Sequence, residues 1–280
     1  MDADIVYAGL DFFDRNNEGQ LPFVCLAEDG SSEPYISYEL KEQTVMIENI
    51  RGKEEAYTLD TSGFQFLRCS TQHSAIASKD EFEHLYISEA VEMTKRLTGA
   101  RKIIPFEPVL RRHIHELDHI TPQPVKFAHI DITSAAAASF AAALVRQSIP
   151  ADEVEGLLKG RFQVINLWRP IAHAAVDRPL AVCDYRSIDA KEDLVTLQLR
   201  YLCSDRVGQY YLMKYNPLQK WKYLRGMNID EVLLFKSYDS LDATGVARFS
   251  GHASFEDPTT PDGAPLRESA EVRMLVFYGD

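Results

Sequence analysis

The second half of the chain is a succession of short apolar stretches, and this leaves few folds open. From Phe162 onward the segments FQVINLWRP, PLAVCDYRS, QYYLMKYN, WKYLRG, EVLLFKSYD, ARFSGHASF and ESAEVRMLVFY follow one another, parted by Gly, Pro, Asn and Asp. Stretches of this length, rich in aromatic and branched residues and bounded by turn formers, read as strands. Many of them at close spacing predict a mainly β sandwich or barrel with helices packed outside, not a βαβ fold.

The first half adds those helices. Residues 1–70 read as strands broken by turns: Asp29-Gly30 is a turn signal, and VMIENIRG (45–52) and AYTLD (56–60) alternate as strands do. Over 80–98, Phe82, Leu85, Tyr86, Ala90, Met93 and Leu97 fall at helical spacing, and Gly99 ends the helix. KIIPFEPVLRR (102–112) returns to extended chain. Thr133 and Ser134 are candidate caps for an alanine-rich helix over 134–148, Pro150 stops it, and 151–159 forms a second short helix. One domain over 1–280 is expected. Residues 1–125 would pack strands and a helix on the core, and 126–280 would form the core with a helical insertion at 134–159.

Charge narrows the partners. Against 30 Lys and Arg stand 42 Asp and Glu, a net charge of −12. That disfavours nucleic acid and an anionic membrane surface, both of which need a basic face. No apolar run is long enough to span a bilayer, and the acidic N-terminus lacks the apolar core of a signal peptide. A cytoplasmic protein is expected. Cys25, Cys69, Cys183 and Cys203 contain no CxxC pair, so reduced thiols are expected rather than a zinc site. GxxxxGK[ST], GxGxxG, GxSxG and HExxH are all missing, so phosphate-loop, dinucleotide, nucleophile-elbow and zinc-helix chemistry lack support.

The informative residues are His129-Ile130-Asp131. On a strand, side chains two apart share a face, so an imidazole and a carboxylate stand together. One further histidine would complete the two-histidine, one-carboxylate facial triad of non-haem iron(II). His252, in RFSGHASF, lies 123 residues on in a strand pattern. Alone, the pair reads more readily as a His–Asp hydrogen bond on a strand. Fifteen residues beyond His252, Arg267 and Ser269 sit at i and i+2 and together can hold a carboxylate, the guanidinium by a forked pair and the hydroxyl by a third bond.

That order resembles the double-stranded β-helix oxygenases that use Fe(II) and 2-oxoglutarate. The words TLDTSGF (58–64), LTGARKI (97–103), INLWRPI (165–171), PLAVCDYRSID (179–189), DEVLLFKSYDS (230–240), GHASFEDP (251–258) and RESAEVR (267–273) resemble the gibberellin-desaturase-like and cephem-methoxylase-like subfamily, which includes fungal meroterpenoid endoperoxidases. The likeness covers most of the chain from about residue 45. Two spacings depart from the common pattern. The histidine follows HxD at a longer interval, filled partly by the helices of 134–159, and Arg267 follows His252 late, across the loop EDPTTPDGAPL.

The resemblance implies a double-stranded β-helix core and iron bound by His129, Asp131 and His252. It also implies 2-oxoglutarate held by Arg267 and Ser269, and O2 as the oxidant. Decarboxylation of 2-oxoglutarate to succinate would accompany hydroxylation, desaturation or endoperoxide formation on a terpenoid, polyketide or peptide-derived metabolite. Arg273 shares the face of Arg267 and is either a second cosubstrate contact or half of an ion pair. Arg169 either touches the cosubstrate or anchors its neighbours. Trp168, Asn166 and Tyr211 are expected to meet substrate. His113, His115 and His119 read as a solvated polar edge, His73 and His84 lack partners in sequence, and His173 could approach the substrate. A homodimer is expected. Two other readings stay open: an inactive metal-binding partner subunit of the same fold, and a jelly roll that binds ligand without metal.

Overall fold

The computed structural model describes residues 4–16, 19–27, 34–74, 76, 78–113, 123–202 and 207–279. Within these, fifteen strands are β1 (Ile5–Asn16), β2 (Phe23–Leu26), β3 (Tyr35–Ile36), β4 (Tyr38–Asn49), β5 (Phe64–Arg68), β6 (Lys102–Arg112), β7 (His129–Ile130), β8 (Phe162–Pro170), β9 (Leu180–Cys183), β10 (Leu194–Tyr201), β11 (Val207–Met213), β12 (Trp221–Tyr223), β13 (Glu231–Asp239), β14 (His252–Ser254) and β15 (Glu268–Phe277). The α-helices are α1 (Leu59–Ser62), α2 (Ile87–Thr98), α3 (Ser134–Ser148) and α4 (Ala151–Lys159). The strands form a ten-stranded sheet, β1-β4-β12-β9-β14-β7-β11-β10-β2-β3, and a five-stranded sheet, β5-β13-β8-β15-β6. These curl against each other as the expected double-stranded β-helix.

The five-stranded sheet is buried on both faces because both are covered. Every residue of β8 and β13 is buried. One face, with Ile165, Leu167, Val232, Leu234, Val272 and Met274, packs on Phe82, Tyr86, Ala90 and Met93 of the long helical segment. The other face, with Phe64, Phe66, Trp168, Leu233 and Phe235, packs on Leu180 and Val182 of the larger sheet. Strands buried on two sides lose polar alternation and read as continuous apolar runs.

The helix over 80–98 forms with a π-helical opening, Glu81–Tyr86, and ends on Gly99 in the left-handed conformation. The AYTLD stretch is not a strand. Thr58 Oγ1 accepts from the Thr61 backbone N–H at 3.2 Å, the Thr61 hydroxyl answers toward the Thr58 N–H at 3.4 Å, and this box starts α1. Local capping outweighs a five-residue alternation.

A buried ionic group closes one end of the small sheet. Lys236 Nζ lies 2.6 Å from Asp239 and 2.8 Å from Asp60, and Arg161 reaches Asp239 at 2.6 Å. Burial pushes the Asp239 carboxyl up, but Arg161 and Lys236 outweigh it and hold the group below its ordinary value. A carboxyl depressed in the folded state stabilises above its unfolded value and loses that contribution as pH falls through the folded one. Asp239→Asn is therefore expected to cost about 3 kcal/mol at neutral pH, since it strips a buried cation of an anion. The gap to wild type should narrow below about pH 4 in thermal melts.

Candidate metal centre and adjoining cavity

The metal-ligand set is assembled by strand pairing. β7 lies between β14 and β11, with His129 directly opposite His252 and Leu212. Residues opposite each other in a ladder put their side chains on one face, a few ångströms apart. The two imidazole rings stand 4.2 Å apart between centroids. Asp131 follows β7 on the same face: Asp131 Oδ1 is 3.6 Å from His129 Nε2, and Oδ2 is 3.7 Å from His252 Nε2. One ligand atom from each of the three residues lies within 4.8 Å of the others. A Cβ at Gly251, just before His252, would meet Met213 Sδ, so a side chain there would have to push that flexible thioether aside.

The electrostatics suit a cation. Burial and the neighbouring His252 push the His129 imidazole down to about 3, and burial lowers His252 as well. Both rings are therefore neutral, the form that binds metal. His129 Nδ1 lies 2.9 Å from the Phe127 carbonyl, which leaves Nε2 for the site. Burial works against ionised Asp131, but Arg273, the two histidines and the Asn166 hydrogen bond overcome it and keep the carboxyl well below the usual range. Asn166 Nδ2 donates to Asp131 Oδ2 at 2.6 Å, Ser237 Oγ to the same oxygen at 3.2 Å, and Arg273 Nη2 to Oδ1 at 2.7 Å. Partners that orient a metal ligand typically contribute 10- to 100-fold to metal affinity or activity. Asn166→Ala is expected to weaken Fe(II) binding by about that factor, measured by anaerobic titration, with the fold intact.

Arg267 and Ser269 form the second element. β15 runs beside β8 with Ser269, Glu271 and Arg273 opposite Pro170, Trp168 and Asn166, so this row faces the interior. Arg267 is 1% exposed, its carbon head 5.7 Å from the Trp168 ring centre. Its Nη1 donates to the Arg178 carbonyl at 2.5 Å, but among the described residues Nε has no hydrogen-bond partner, and neither has Ser269 Oγ. Burial and the nearby Arg111 push the guanidinium down to about 9. Arg169 and Trp221 also carry such orphaned donors, so what marks Arg267 and Ser269 is that both stand at the start of β15, two residues apart, facing the interior. A buried cation and hydroxyl on one face fit the distal carboxylate of 2-oxoglutarate.

Other residues fall differently. Asn166 holds Asp131 and Glu271, and it does not line the cavity. Trp168 is buried in the inner core beneath Arg267. Arg169, one residue on, points to the opposite face by strand parity and donates to the Cys69 and Ile229 carbonyls, away from the triad. Arg273 ion-pairs with Asp131, Glu107 and Glu271, so the ion-pair alternative describes it. His113 is no solvated edge: it lies 2.5 Å from Asp177, whose carboxylate also accepts the Arg267 backbone N–H at 2.9 Å. His115 and His119 lie outside the described residues. His73 meets Glu81 at 3.5 Å, His84 meets Asp80 at 3.6 Å, and His173 Nδ1 lies 3.0 Å from the Ala174 carbonyl.

A cavity of about 630 Å³ opens beside Asp131 and Arg273. Phe106, Ile132, Phe140, Leu144 and Val164 give it apolar walls. α3 forms one side. Thr133 Oγ1 caps it by accepting from Ala136 N–H at 3.1 Å, and buried Ala137, Ala141 and Val145 seat it on the sheet. Tyr210, not Tyr211, lines this space; the Tyr211 hydroxyl instead accepts from Ser134 N–H at 3.2 Å. Two adjacent tyrosines on a strand point opposite ways, and sequence alone did not mark which faced inward. Glu107 is the charged residue of the cavity wall that sequence reasoning missed; a lone acid between two prolines carried no motif.

A buried His–Asp–His set between curled antiparallel sheets, with an unpaired arginine on the inner face, defines a metal-dependent oxygenase of the double-stranded β-helix class. Residues 10–277 match the family described as "Oxidoreductase/YMDC permease-like domain". The chain is 35% identical to the hydroxylase/desaturase efuI of Hormonema carpetanum, over 85% of this chain and 84% of the relative. It is 34% identical to the Fe(II)/2-oxoglutarate-dependent dioxygenase nvfI of Aspergillus novofumigatus, over 84% and 83%. A solved structure of the iron and alpha-ketoglutarate-dependent endoperoxidase NvfI superposes with a TM-score of 0.85 at 26% identity, covering 100% of both chains. The chain belongs to this family of Fe(II)/2-oxoglutarate-dependent oxygenases. No described helix is long and apolar enough to cross a membrane.

Proposed function

We propose that residues 1–280 form one oxygenase domain that oxidises a small-molecule secondary metabolite. Its iron would be held by His129, Asp131 and His252, and its 2-oxoglutarate by Arg267 and Ser269. The observation that carries this reading is the pairing of a buried triad with orphaned donors on Arg267 and Ser269. The relatives' names, hydroxylase/desaturase and endoperoxidase, support oxidation of an unactivated carbon framework as the reaction class.

When bound, the iron and 2-oxoglutarate supply O2 activation coupled to loss of CO2, leaving succinate. The chain's own part is positional. His129, Asp131 and His252 occupy one side of the site and leave the cavity side to ligands. Asn166, Ser237 and Arg273 fix the Asp131 carboxylate. Arg267 and Ser269 would hold the cosubstrate's far carboxylate. The apolar walls contributed by Phe106, Ile132, Phe140 and Leu144 exclude water and hold an apolar framework against the triad. Which C–H bond reacts follows from how this cavity seats the substrate.

Purified anaerobically, the chain is expected to bind about one Fe(II) and then 2-oxoglutarate, with the visible charge-transfer band of a chelated keto acid. It should release succinate in air. Iron binding with no such band at saturating 2-oxoglutarate would defeat the reading. A cytoplasmic homodimer belongs to the same proposal, since closed two-fold dimers are the commonest assemblies. Light scattering should give twice the 31.7 kDa chain mass.

A further inference from the structure

Arg111, near the end of β6, faces the same interior as Ser269. β6 runs antiparallel beside β15, and the register sets Ser269 opposite Arg111 and Glu268 opposite Arg112. Residues opposite each other in a ladder share a face, with Cβ atoms about 5 Å apart. The neighbouring pair confirms the parity. Arg112 Nε donates to Glu268 at 2.8 Å on the exposed side, so Arg111 turns the other way, toward Ser269.

Arg111 is half-buried and has no carboxylate of its own. Among the described residues its guanidinium makes one hydrogen bond, from Nη1 to the Gln123 carbonyl at 3.1 Å, and no ion pair. Arg112 has Glu268, and Arg273, farther along the inner row, has Asp131, Glu107 and Glu271. The charge of Arg111 is nonetheless felt inside. After burial, it is the largest influence on the Arg267 guanidinium, which is held down at about 9. On His252, which burial lowers first, it ranks behind Asp131 and Arg273. Register and charge both set Arg111 beside the Arg267 and Ser269 end of the site.

Two cations in one partly buried space repel each other unless an anion joins them. The acids that act on Arg267 are Asp177 and Glu271, and both are engaged. Asp177 accepts from the Arg267 backbone N–H and meets His113, while Glu271 accepts from Asn166 and Arg273. A carboxylate offers about four acceptor positions. Bonds from Arg267 Nε and Ser269 Oγ leave it able to accept from Arg111 as well.

We propose that Arg111 is a second cationic contact for the distal carboxylate of 2-oxoglutarate. With Arg267 and Ser269 it forms a three-residue clamp that prefers dicarboxylate 2-oxo acids to monocarboxylate ones. This rests on the placement of 2-oxoglutarate at Arg267 and Ser269. It gives β6 a part in cosubstrate binding beside that of β15.

The test titrates Fe(II)-loaded protein anaerobically with 2-oxoglutarate and with 2-oxopentanoate, which keeps the keto-acid end and the carbon chain but lacks the distal carboxylate. The charge-transfer band reports either ligand on iron. Wild type is expected to bind 2-oxoglutarate the more tightly. Arg111→Gln should weaken 2-oxoglutarate about tenfold, the lower end for a bond to a charged group because the side chain is partly exposed. It should leave 2-oxopentanoate within about twofold of wild type. Arg111→Lys, with the charge but not the fork, should keep part of the 2-oxoglutarate affinity. A variant that merely loosened the barrel would weaken both ligands together and melt lower, so the ligand pair separates recognition from misfolding. Unchanged 2-oxoglutarate binding in Arg111→Gln, or an equal loss for both ligands, overturns the proposal. Arg267→Leu in the same titration reads the underlying placement. If it binds 2-oxoglutarate like wild type, that placement fails and the clamp with it. If it loses 2-oxoglutarate while Arg111→Gln does not, this inference alone fails.

Discussion

Replacing Arg267 by leucine is expected to lower the affinity for 2-oxoglutarate by about two to three and a half orders of magnitude. The guanidinium is buried, and its Nε has no partner among the described residues. In the variant, a carboxylate entering the site would be desolvated without a counter-charge. Losing one partner of a buried charge pair costs about 3–5 kcal/mol, and about 1.4 kcal/mol is tenfold. Arg267→Lys should fall between, keeping charge but losing the fork. Ser269→Ala should cost about 1–3 kcal/mol, the penalty for one lost bond to a charged group. The measurement is an anaerobic titration of Fe(II)-loaded protein with 2-oxoglutarate, following the charge-transfer band. Iron affinity should be unchanged in all three, because the proposed ligands lie on β7, just after it, and on β14, not on β15. Arg273→Leu is the control: its three ion-pair partners include Asp131, so it should weaken iron rather than 2-oxoglutarate. Loss of 2-oxoglutarate binding in Arg273→Leu with wild-type binding in Arg267→Leu would reverse the assignment.

Sequence showed the elements with strong local signals. The spacing of Tyr86, Ala90 and Met93, the cap at Thr133, the stop at Gly99 and the short apolar strands all reappear in the structure. The triad was legible because residues i and i+2 of a strand share a face wherever the strand goes. The partner histidine needed a motif, since nothing local tells β14 that it will lie beside β7. What escaped depended on parity and on long-range packing. Arg169 and Trp168 are adjacent, and only the sheet decides that the tryptophan turns inward and the arginine toward the helix. Tyr210 and Tyr211 pose the same problem. Glu107 depends on a bulge, which a strand-like pattern cannot reveal because the extra residue exists only relative to β15. AYTLD failed for the opposite reason: its Thr58–Thr61 box is local, but alternation was read first.

Asp131→Asn is expected to weaken Fe(II) binding by about two to three and a half orders of magnitude or more, while the protein still folds. The residue is the anion of the metal-ligand set and is buried. Moving a divalent cation into a buried site without it leaves charge uncompensated, at the scale of about 3–5 kcal/mol or more. Shape is preserved by the isosteric amide. Its oxygen can still accept from Arg273 Nη2, where the aspartate does so at 2.7 Å. The amide nitrogen would then face Asn166 Nδ2 and Ser237 Oγ, which donate to Asp131 Oδ2. A turn of the Asn166 amide would offer its oxygen to that nitrogen but give up its bond to Glu271, so the fold should lose about 1–3 kcal/mol. His129→Ala and His252→Ala should lose iron too, and those substitutions open a void between facing rings that the asparagine variant avoids. Circular dichroism and thermal melting would establish the fold, and anaerobic equilibrium dialysis would establish the iron content. Full iron occupancy in folded Asp131→Asn would remove the carboxylate from the metal set. Iron would then have to sit on the two imidazoles alone, with the Asn166–Asp131–Arg273 network serving only to pack the barrel.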